Sequence, residues 1–232
     1  MKEKLEKICR MSQMELKDFT AKELTKTHKE IYVDDGFVYA KGTFPVLLIA
    51  HLDTVHEQLP KTICYDEKTG IMSSPEGIGG DDRCGVYMVL DIVKKFHCSV
   101  LFCEDEEIRN VGAKKFLQNK LSAGLSFNYM IEFDRKARND AVFYNCANPE
   151  FEKFITREYF ETAEGTSADI SSLAPALGCA AVNLSTGDYD AHTLGEYIVL
   201  PEMQACIDAA CDILERTGEN DKFVYIEAAP AV

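Results

Sequence analysis

The chain has 232 residues, of which 46% are hydrophobic and 28% are charged, a composition typical of globular proteins. Its net charge of −14 argues against nucleic acid and anionic membranes as partners, because both attract basic surfaces. No stretch approaches the roughly 20 apolar residues of a membrane span, and the N-terminus carries no apolar signal segment. We therefore expect a cytoplasmic protein whose nine cysteines are reduced thiols.

Taken in chain order, the hydrophobic pattern alternates between strands and helices. Two amphipathic helices are predicted over residues 3–27, and a hairpin follows with Asp34-Asp35-Gly36 at its turn. Apolar runs predict buried strands at 45–50, 98–103, 128–133 and 179–185, with further strands at 141–145 and 222–227. Helical spacing is present at 82–96, at 113–121, after Pro149 and at 203–214. This order predicts an α/β fold, a three-layer α/β/α sandwich around a mostly parallel mixed sheet.

Acidic residues and histidines follow the four buried strands. In chain order these are His51 and Asp53, Glu104–Glu107, Asp134, and then Asp188, Asp190 and His192. Because the carboxyl ends of the strands line the ligand crevice of an open α/β sheet, we expect these side chains to meet at one edge. Asp81 and Asp82 join them, since they follow a glycine-rich segment and open the helix at 82–96.

This set of side chains predicts a site for divalent metal ions. Carboxylates packed at one edge repel each other unless a cation neutralises them. Two histidines with several carboxylates and no thiolate suit Zn²⁺ or a similar divalent ion. About five ligands exceed the needs of one tetrahedral ion, whereas two ions that share a bridging carboxylate would use them all. We therefore predict two divalent ions, zinc first, with cobalt and manganese as alternatives.

Five motifs connect the chain to a known family. In order, HLDTV, GIGGDDRCG, EDEEIRNVGA, EFD and YDAHTLGE resemble the motifs of the co-catalytic di-zinc exopeptidases. This superfamily contains aminopeptidases, tripeptidases of the peptidase T type and carboxypeptidase or deacylase relatives with one shared α/β catalytic domain. The likeness runs from about Pro45 to Met203 and implies the zinc-dependent, phosphorylase/hydrolase-like exopeptidase fold.

The resemblance also implies a role for each matching residue. The implied ligands are His51 and Asp134 for the first ion, Glu107 and His192 for the second, and Asp81 as the bridge. Glu106 would be the general base, which takes a proton from the attacking water and passes it to the leaving amine. Asp53 would orient the His51 imidazole. A register shifted by one residue within Glu104–Glu107 stays an alternative.

The sequence departs from the family at two places. Arg109 stands where the family usually has glycine. Many relatives insert a lid or dimerisation domain between Asp134 and His192, but only 58 positions separate them here, enough for a strand, a helix and a strand. We therefore expect residues 1–232 to form a single catalytic domain with no inserted lid, which binds substrate with its own loops, and we lean towards a monomer.

These observations favour a metal-dependent exopeptidase that hydrolyses the terminal amide of short peptides. Two alternatives remain, an N-acyl amino-acid amidase or deacylase with the same metal site, and a catalytically inactive metal-binding relative. Around the site, Asp82 is predicted either to cap the helix or to support the ligands. Asp188, Asp190 and Glu196 are predicted to support the ligands, and Thr166, Ser167 and Asp169 to contact substrate. His28, His56 and His97 are interpreted as surface residues, and Cys84 as a packing residue.

Overall fold

The computed structural model describes residues 1–218 and 220–229. The helices of these residues are α1 (Lys2–Cys9), α2 (Gln13–Leu24), α3 (Gly80–Ile92), α4 (Val111–Gln118), α5 (Pro149–Ile155), α6 (Ile170–Leu177) and α7 (Leu200–Glu215). The strands are β1 (Glu30–Asp34), β2 (Phe37–Lys41), β3 (Phe44–His51), β4 (Cys64–Asp66), β5 (Ile71–Ser73), β6 (Cys98–Cys103), β7 (Tyr129–Arg135), β8 (Asp140–Val142), β9 (Glu161–Thr162), β10 (Ala181–Ser185), β11 (Asp188–Tyr189) and β12 (Tyr197–Val199).

The main sheet has the strand order β1-β2-β6-β3-β7-β10-β8-β9. Its central strands β6, β3, β7 and β10 are parallel neighbours, while β1, β2 and β8 pair in the antiparallel sense. The register places His51 opposite Cys103 and Ser185 opposite Arg135. The carboxyl ends of the parallel strands therefore lie at one edge of the sheet.

Side chains of β3 alternate between two cores, one on each face of the sheet. Val46, Leu48 and Ala50 join the core that contains residues of α1, α3 and α7. Leu47 and Ile49 join the opposite core, with residues of α4 and α6. Burial on both faces explains why β3 is a continuous apolar run rather than an alternating one. The predicted three-layer α/β/α sandwich around a mostly parallel mixed sheet is confirmed.

Local capping signals explain where two of the predicted helices begin. The Ser12 hydroxyl accepts the Glu15 N–H, and the Glu15 carboxylate accepts the Ser12 N–H, which makes a capping box at the start of α2. The Asn148 side chain accepts the Phe151 N–H, and Pro149 occupies the first turn of α5.

A second, antiparallel sheet was not among the predictions. Its strand order is β11-β12-β5-β4, and each strand has only two or three residues. Strands this short carry no readable alternation of apolar and polar residues. The sheet holds the chain around residue 188 and residues 197–199 against residues 64–73.

Three other expectations are corrected by the structure. The predicted strand 222–227 makes only isolated bridges, Val224 with Cys179 and Glu227 with Cys146, and the strand predicted at 141–145 ends at Val142. Between Asp134 and His192 the chain forms two helices, α5 and α6, where one was expected. Helix α6 is short and contains Pro175, which disguised its pattern.

The structure also shows the burial and contacts of the cysteines and of His28. The structure contains nine free cysteines, and Cys84 is fully buried, as a packing residue should be. His28 is buried rather than on the surface, because its ring stacks on His97 and its Nε2 lies 2.8 Å from the Cys98 carbonyl. Within residues 1–218 and 220–229, no helix combines the length and apolar composition that crossing a membrane requires.

Candidate metal centre

His51, the last residue of β3, is fully buried at the edge of the main sheet. Its Nε2 lies 2.9 Å from Asp81 Oδ1 and 3.3 Å from Asp134 Oδ1, and its Nδ1 lies 3.1 Å from Asp53 Oδ1. Burial disfavours the charged imidazole, but the contacts with Asp134, Asp53 and Asp81 outweigh it and raise the pKa of His51 well above its usual value. A positive charge is therefore favoured at this position.

Asp81 lies in the first turn of α3 and contacts two histidines. Its Oδ1 faces His51, while its Oδ2 lies 3.1 Å from His192 Nε2. Burial opposes ionisation of Asp81, but the contacts with His192 and His51 more than compensate and lower its pKa. One carboxylate thus joins two imidazoles whose ring nitrogens approach from different sides.

The contact between His192 and Glu107 is close but is not a hydrogen bond. Nε2 of His192 lies 2.8 Å from Glu107 Oε1, yet this oxygen is buried without a hydrogen-bond partner among the described residues. Burial, followed by the charge of Asp81, raises the pKa of Glu107. His192 is half exposed, and the contact with Asp81 raises its pKa to about 9. Two electron-pair donors that face each other in this way suit a shared cation.

Asp134 is held in place by the neighbouring strand. Its N–H donates to Asn183 Oδ1 at 2.9 Å, and Asn183 Nδ2 donates back to Asp134 Oδ2 at 3.3 Å. Burial and the charge of Asp81 raise the pKa of Asp134 well above its usual value. The asparagine thereby leaves Asp134 Oδ1 facing His51.

The histidine and acidic side chains of the centre form groups of three, and within each group the candidate ligand atoms all lie within 4.8 Å of one another. One group is His51, Asp81 and Asp134, and another is Asp81, Glu107 and His192. The two groups share Asp81, and each offers one imidazole and two carboxylates, a donor set that fits zinc or a similar divalent ion. A third group, His51, Glu106 and Glu107, overlaps both.

Comparison with solved structures finds proteins with the same architecture. Aminopeptidase PepT from Bacillus cereus ATCC 10987 matches with a TM-score of 0.74 at 13% identity, over 92% of this chain and 96% of that one. A tripeptidase from Staphylococcus aureus subsp. aureus Mu50 matches with a TM-score of 0.70 at 12% identity, over 91% and 96%. The TET1 peptidase of Pyrococcus horikoshii matches with a TM-score of 0.65 at 14% identity, over 91% and 98%.

The chain has the same α/β fold as these three peptidases. The resemblance drawn from the five sequence motifs is therefore confirmed for the fold. No protein-family model and no curated protein matches the sequence. At these identities the comparison shows the architecture alone. The role of each side chain must be argued from the geometry of the centre.

Asp53 connects His51 to the loop that follows β6. Besides contacting the His51 ring, it accepts the Glu106 N–H at 3.0 Å and the Glu107 N–H at 3.1 Å. Burial opposes its ionisation, but the bonds from His51 and these two amides lower the pKa of Asp53. A single carboxylate thus fixes the ring orientation of His51 and the position of the glutamate loop.

Glu106 extends from that loop beside the two histidine groups. Its Oε1 accepts a hydrogen bond of 3.0 Å from Nδ2 of Asn110, which is buried, and the Ser167 hydroxyl lies 3.4 Å from Asn110 Oδ1. Burial raises the pKa of Glu106, and the charges of Glu107 and Asp81 act in the same direction. Asn110 carries no recognisable signal in the sequence, because its pairing with Glu106 depends on the turn of the loop.

Two other acidic residues hold the start of α3 through hydrogen bonds to its backbone. Asp82 is fully buried and accepts the backbone N–H groups of His51 and Gly85. Glu196 is also buried and accepts the N–H groups of Gly79 and Asp81. A third partner of Glu196 is His56 Nε2 at 2.8 Å, so His56 belongs to this support and is not a surface residue as expected.

A cavity of about 920 Å³ opens beside the candidate ligands. Its walls include Glu106, Glu107 and His192, together with the chain around residues 135–137, 165–167 and 188–193. The lining includes Thr166 and Ser167, where substrate contact was expected. Asp169 is fully buried and is not part of the lining, so contact with substrate is not open to it.

Proposed function

We propose that the protein is a metal-dependent exopeptidase that hydrolyses the terminal amide bond of short peptides. One observation carries the proposal: the two oxygens of Asp81 contact His51 on one side and His192 on the other, beside Glu106 and an open cavity. The zinc exopeptidase fold supports it, because an aminopeptidase and a tripeptidase share that fold.

In this proposal His51, Asp81 and Asp134 hold one divalent ion, and Asp81, Glu107 and His192 hold the other. Zinc is the first choice, with cobalt and manganese as alternatives, because imidazole and carboxylate ligands accept all three. A pair of such ions, when bound, lowers the pKa of a water and offsets the negative charge that develops on the attacked carbonyl.

Glu106 is the proposed general base. Its carboxylate lines the cavity and is fixed by Asn110, so it can accept a proton from the attacking water. Burial raises its pKa and makes it a stronger base than an exposed glutamate. The same carboxyl group then donates that proton to the amine nitrogen of the leaving residue. Asp53 acts indirectly, by holding the His51 ring in one orientation.

The proposed substrate is a short peptide bound by the loops of this one domain, residues 1–232. An N-acyl amino-acid amidase would use the same centre, and a panel of peptides and N-acyl amino acids distinguishes the two. The expected monomer finds no support, because the TET1 peptidase with this fold assembles into a tetrahedron or a large octahedral shell. Sedimentation of the purified chain measures its assembly directly.

The test uses protein stripped with a chelator and then restored with zinc, cobalt or manganese. We expect hydrolysis only after restoration. Glu106→Gln should lower kcat by about 10²–10⁴, the usual contribution of one positioned base. Asp105→Asn is the matched control, because Asp105 lies in the same loop but does not line the cavity. Undiminished hydrolysis by Glu106→Gln would rule out Glu106 as the base. Loss of hydrolysis in Asp105→Asn would shift the proposed base to Asp105. A metal-loaded protein inert on every amide would instead favour a binding protein.

A further inference from the structure

Arg109 is an exposed cation in the wall of the cavity, three residues after the proposed base Glu106. Its backbone has a φ of 80°, and the next residue, Asn110, has a φ of 55°. Residues other than glycine rarely adopt this left-handed backbone conformation, and those that do cluster at functional sites. The turn separates the two side chains, since the Asn110 amide is buried against Glu106 while Arg109 is exposed and lines the cavity.

The basic residues of the cavity differ in how they are neutralised. Arg135, Lys136 and Arg109 all line it. The guanidinium of Arg135 is paired with Asp140, at 2.9 Å and 3.0 Å. Neither Lys136 nor Arg109 has an ion-pair partner within residues 1–218 and 220–229. In a chain with a net charge of −14, these two unpaired cations beside the candidate centre stand out as places for an anionic group.

The position of Arg109 suggests which part of a substrate it meets. Glu106 delivers a proton to the leaving amine, so the leaving residue must lie beside Glu106 in any productive pose. In an α-amino acid, the carboxyl carbon is about 2.5 Å from the amine nitrogen, as bond lengths dictate. A free carboxylate on the leaving residue would therefore lie close to Glu106, whose loop also carries Arg109. Lys136 lies on a different segment, just after β7.

The chemistry of the two cations favours arginine for this role. A guanidinium presents a planar fork of N–H donors that matches the two oxygens of a carboxylate, whereas an ammonium acts as a point charge. We propose that Arg109 binds the free carboxylate of the leaving residue, so that the substrates are dipeptides or other amides of an unblocked C-terminal amino acid. This specificity rests on the proposed function and answers which end of the substrate is recognised.

The experiment compares two substrates that differ only in that carboxylate, Ala-Ala and Ala-Ala amide, with the zinc-restored protein. Release of the first alanine is followed by chromatography. We expect kcat/KM to favour the free acid by about 10–100-fold, the value of a hydrogen-bonded charge pair. Arg109→Gln and Arg109→Gly should reduce this ratio to about one by raising KM for the acid, with little change in kcat/KM for the amide. Arg109→Lys should retain part of the preference.

Arg109→Gly and one further variant, Lys136→Gln, control for folding and charge. Glycine adopts the backbone conformation of residue 109 without strain, so Arg109→Gly removes the side chain without forcing the loop into a new conformation. Lys136→Gln removes the other unpaired cation and should keep the preference for the acid. Equal rates on both substrates in the wild type would overturn the proposal, as would a preference that survives in Arg109→Gly or disappears in Lys136→Gln.

A binding measurement separates this proposal from the proposed function. Calorimetric titration with N-acetylalanine and N-acetylalaninamide requires no turnover. We expect the wild type to bind the acid about 10–100-fold more tightly and Arg109→Gly to bind both alike. If no peptide is hydrolysed, the proposed function fails, but a preference for the acid that depends on Arg109 would still support carboxylate recognition. Equal binding of both ligands by the wild type would refute it.

Discussion

Glu196 and Asp81 are 115 positions apart in the sequence, yet the Asp81 N–H donates a hydrogen bond of 2.9 Å to Glu196 Oε1. The other oxygen of Glu196 accepts the Gly79 N–H and lies 2.8 Å from His56 Nε2. The segment before β12 thus fixes the backbone of the residue that contacts both candidate histidines.

Removal of the Glu196 carboxylate should therefore loosen the centre without removing a ligand. In Glu196→Ala the buried N–H groups of Gly79 and Asp81 lose their acceptor, at a cost of about 1–3 kcal/mol for each group. We expect a lower free energy of unfolding in urea and about 10–100-fold weaker zinc binding. Glu67→Ala, in an exposed turn, is the surface control. Unchanged zinc affinity in Glu196→Ala would show that Asp81 keeps its position without this support.

Asn110 should affect turnover more than substrate binding. Its amide donates to Glu106 Oε1, so its removal leaves the proposed base free to rotate. We expect Asn110→Gly to lower kcat by about tenfold with KM nearly unchanged, the size of one lost hydrogen bond to a charged group. Glycine is the right replacement because residue 110 has a φ of 55°. An equal fall in the folded fraction and in kcat would indicate a purely structural role.

The two proposed ions should leave the protein in order. His51 is fully buried, whereas the His192 side chain is 52% exposed, so the ion beside His192 is the more accessible to water and chelator. A graded EDTA titration followed by metal analysis should show two steps. In His192→Ala only the tighter step should remain, and the reciprocal variant His51→Ala should lose it. A single step in the wild type would argue against two distinct sites.

His28 predicts a dependence of stability on pH that is separate from the metal centre. Burial lowers its pKa, and the neighbouring His97 acts in the same direction. Below the ordinary histidine pKa of about 6.5, the unfolded chain takes up a proton that the folded chain resists. The free energy of unfolding should therefore fall as the pH is lowered from about 7 to 5, by at most about 1.4 kcal/mol per pH unit from this group.

The comparison that isolates this effect uses His28→Gln in metal-free protein. Other groups also titrate in this range, so the observable is the difference in slope between the two proteins. We expect a shallower decline for His28→Gln between pH 7 and 5 in urea unfolding experiments. Parallel curves would mean that His28 accepts its proton in the folded state as readily as in the unfolded one.

The sequence was most informative where one strand supplies both the core and the site. The apolar run of β3 is readable because both faces are buried, and His51 follows it directly. The same holds for β6 and β7, which lead into Glu106 and Asp134. Parallel strands in register then bring these ends together, so convergence at one edge followed from topology alone.

The parts that were missed depend on contacts between distant segments. Asn183 lies inside an apolar strand, and nothing in that run indicates its two hydrogen bonds with Asp134. The sequence predicts His56 at the surface because nothing nearby indicates its partner, Glu196, which is 140 positions away. The second sheet is built from strands of two or three residues, which leave no periodic pattern to read.

Anomalous diffraction from zinc-saturated crystals locates any bound ions and is the decisive measurement for the metal centre. We expect two zinc peaks, one between His51, Asp81 and Asp134 and the other between Asp81, Glu107 and His192. Elemental analysis in solution should give two zinc ions per chain. A single peak, or none between these side chains at saturating zinc, would refute the two-ion centre.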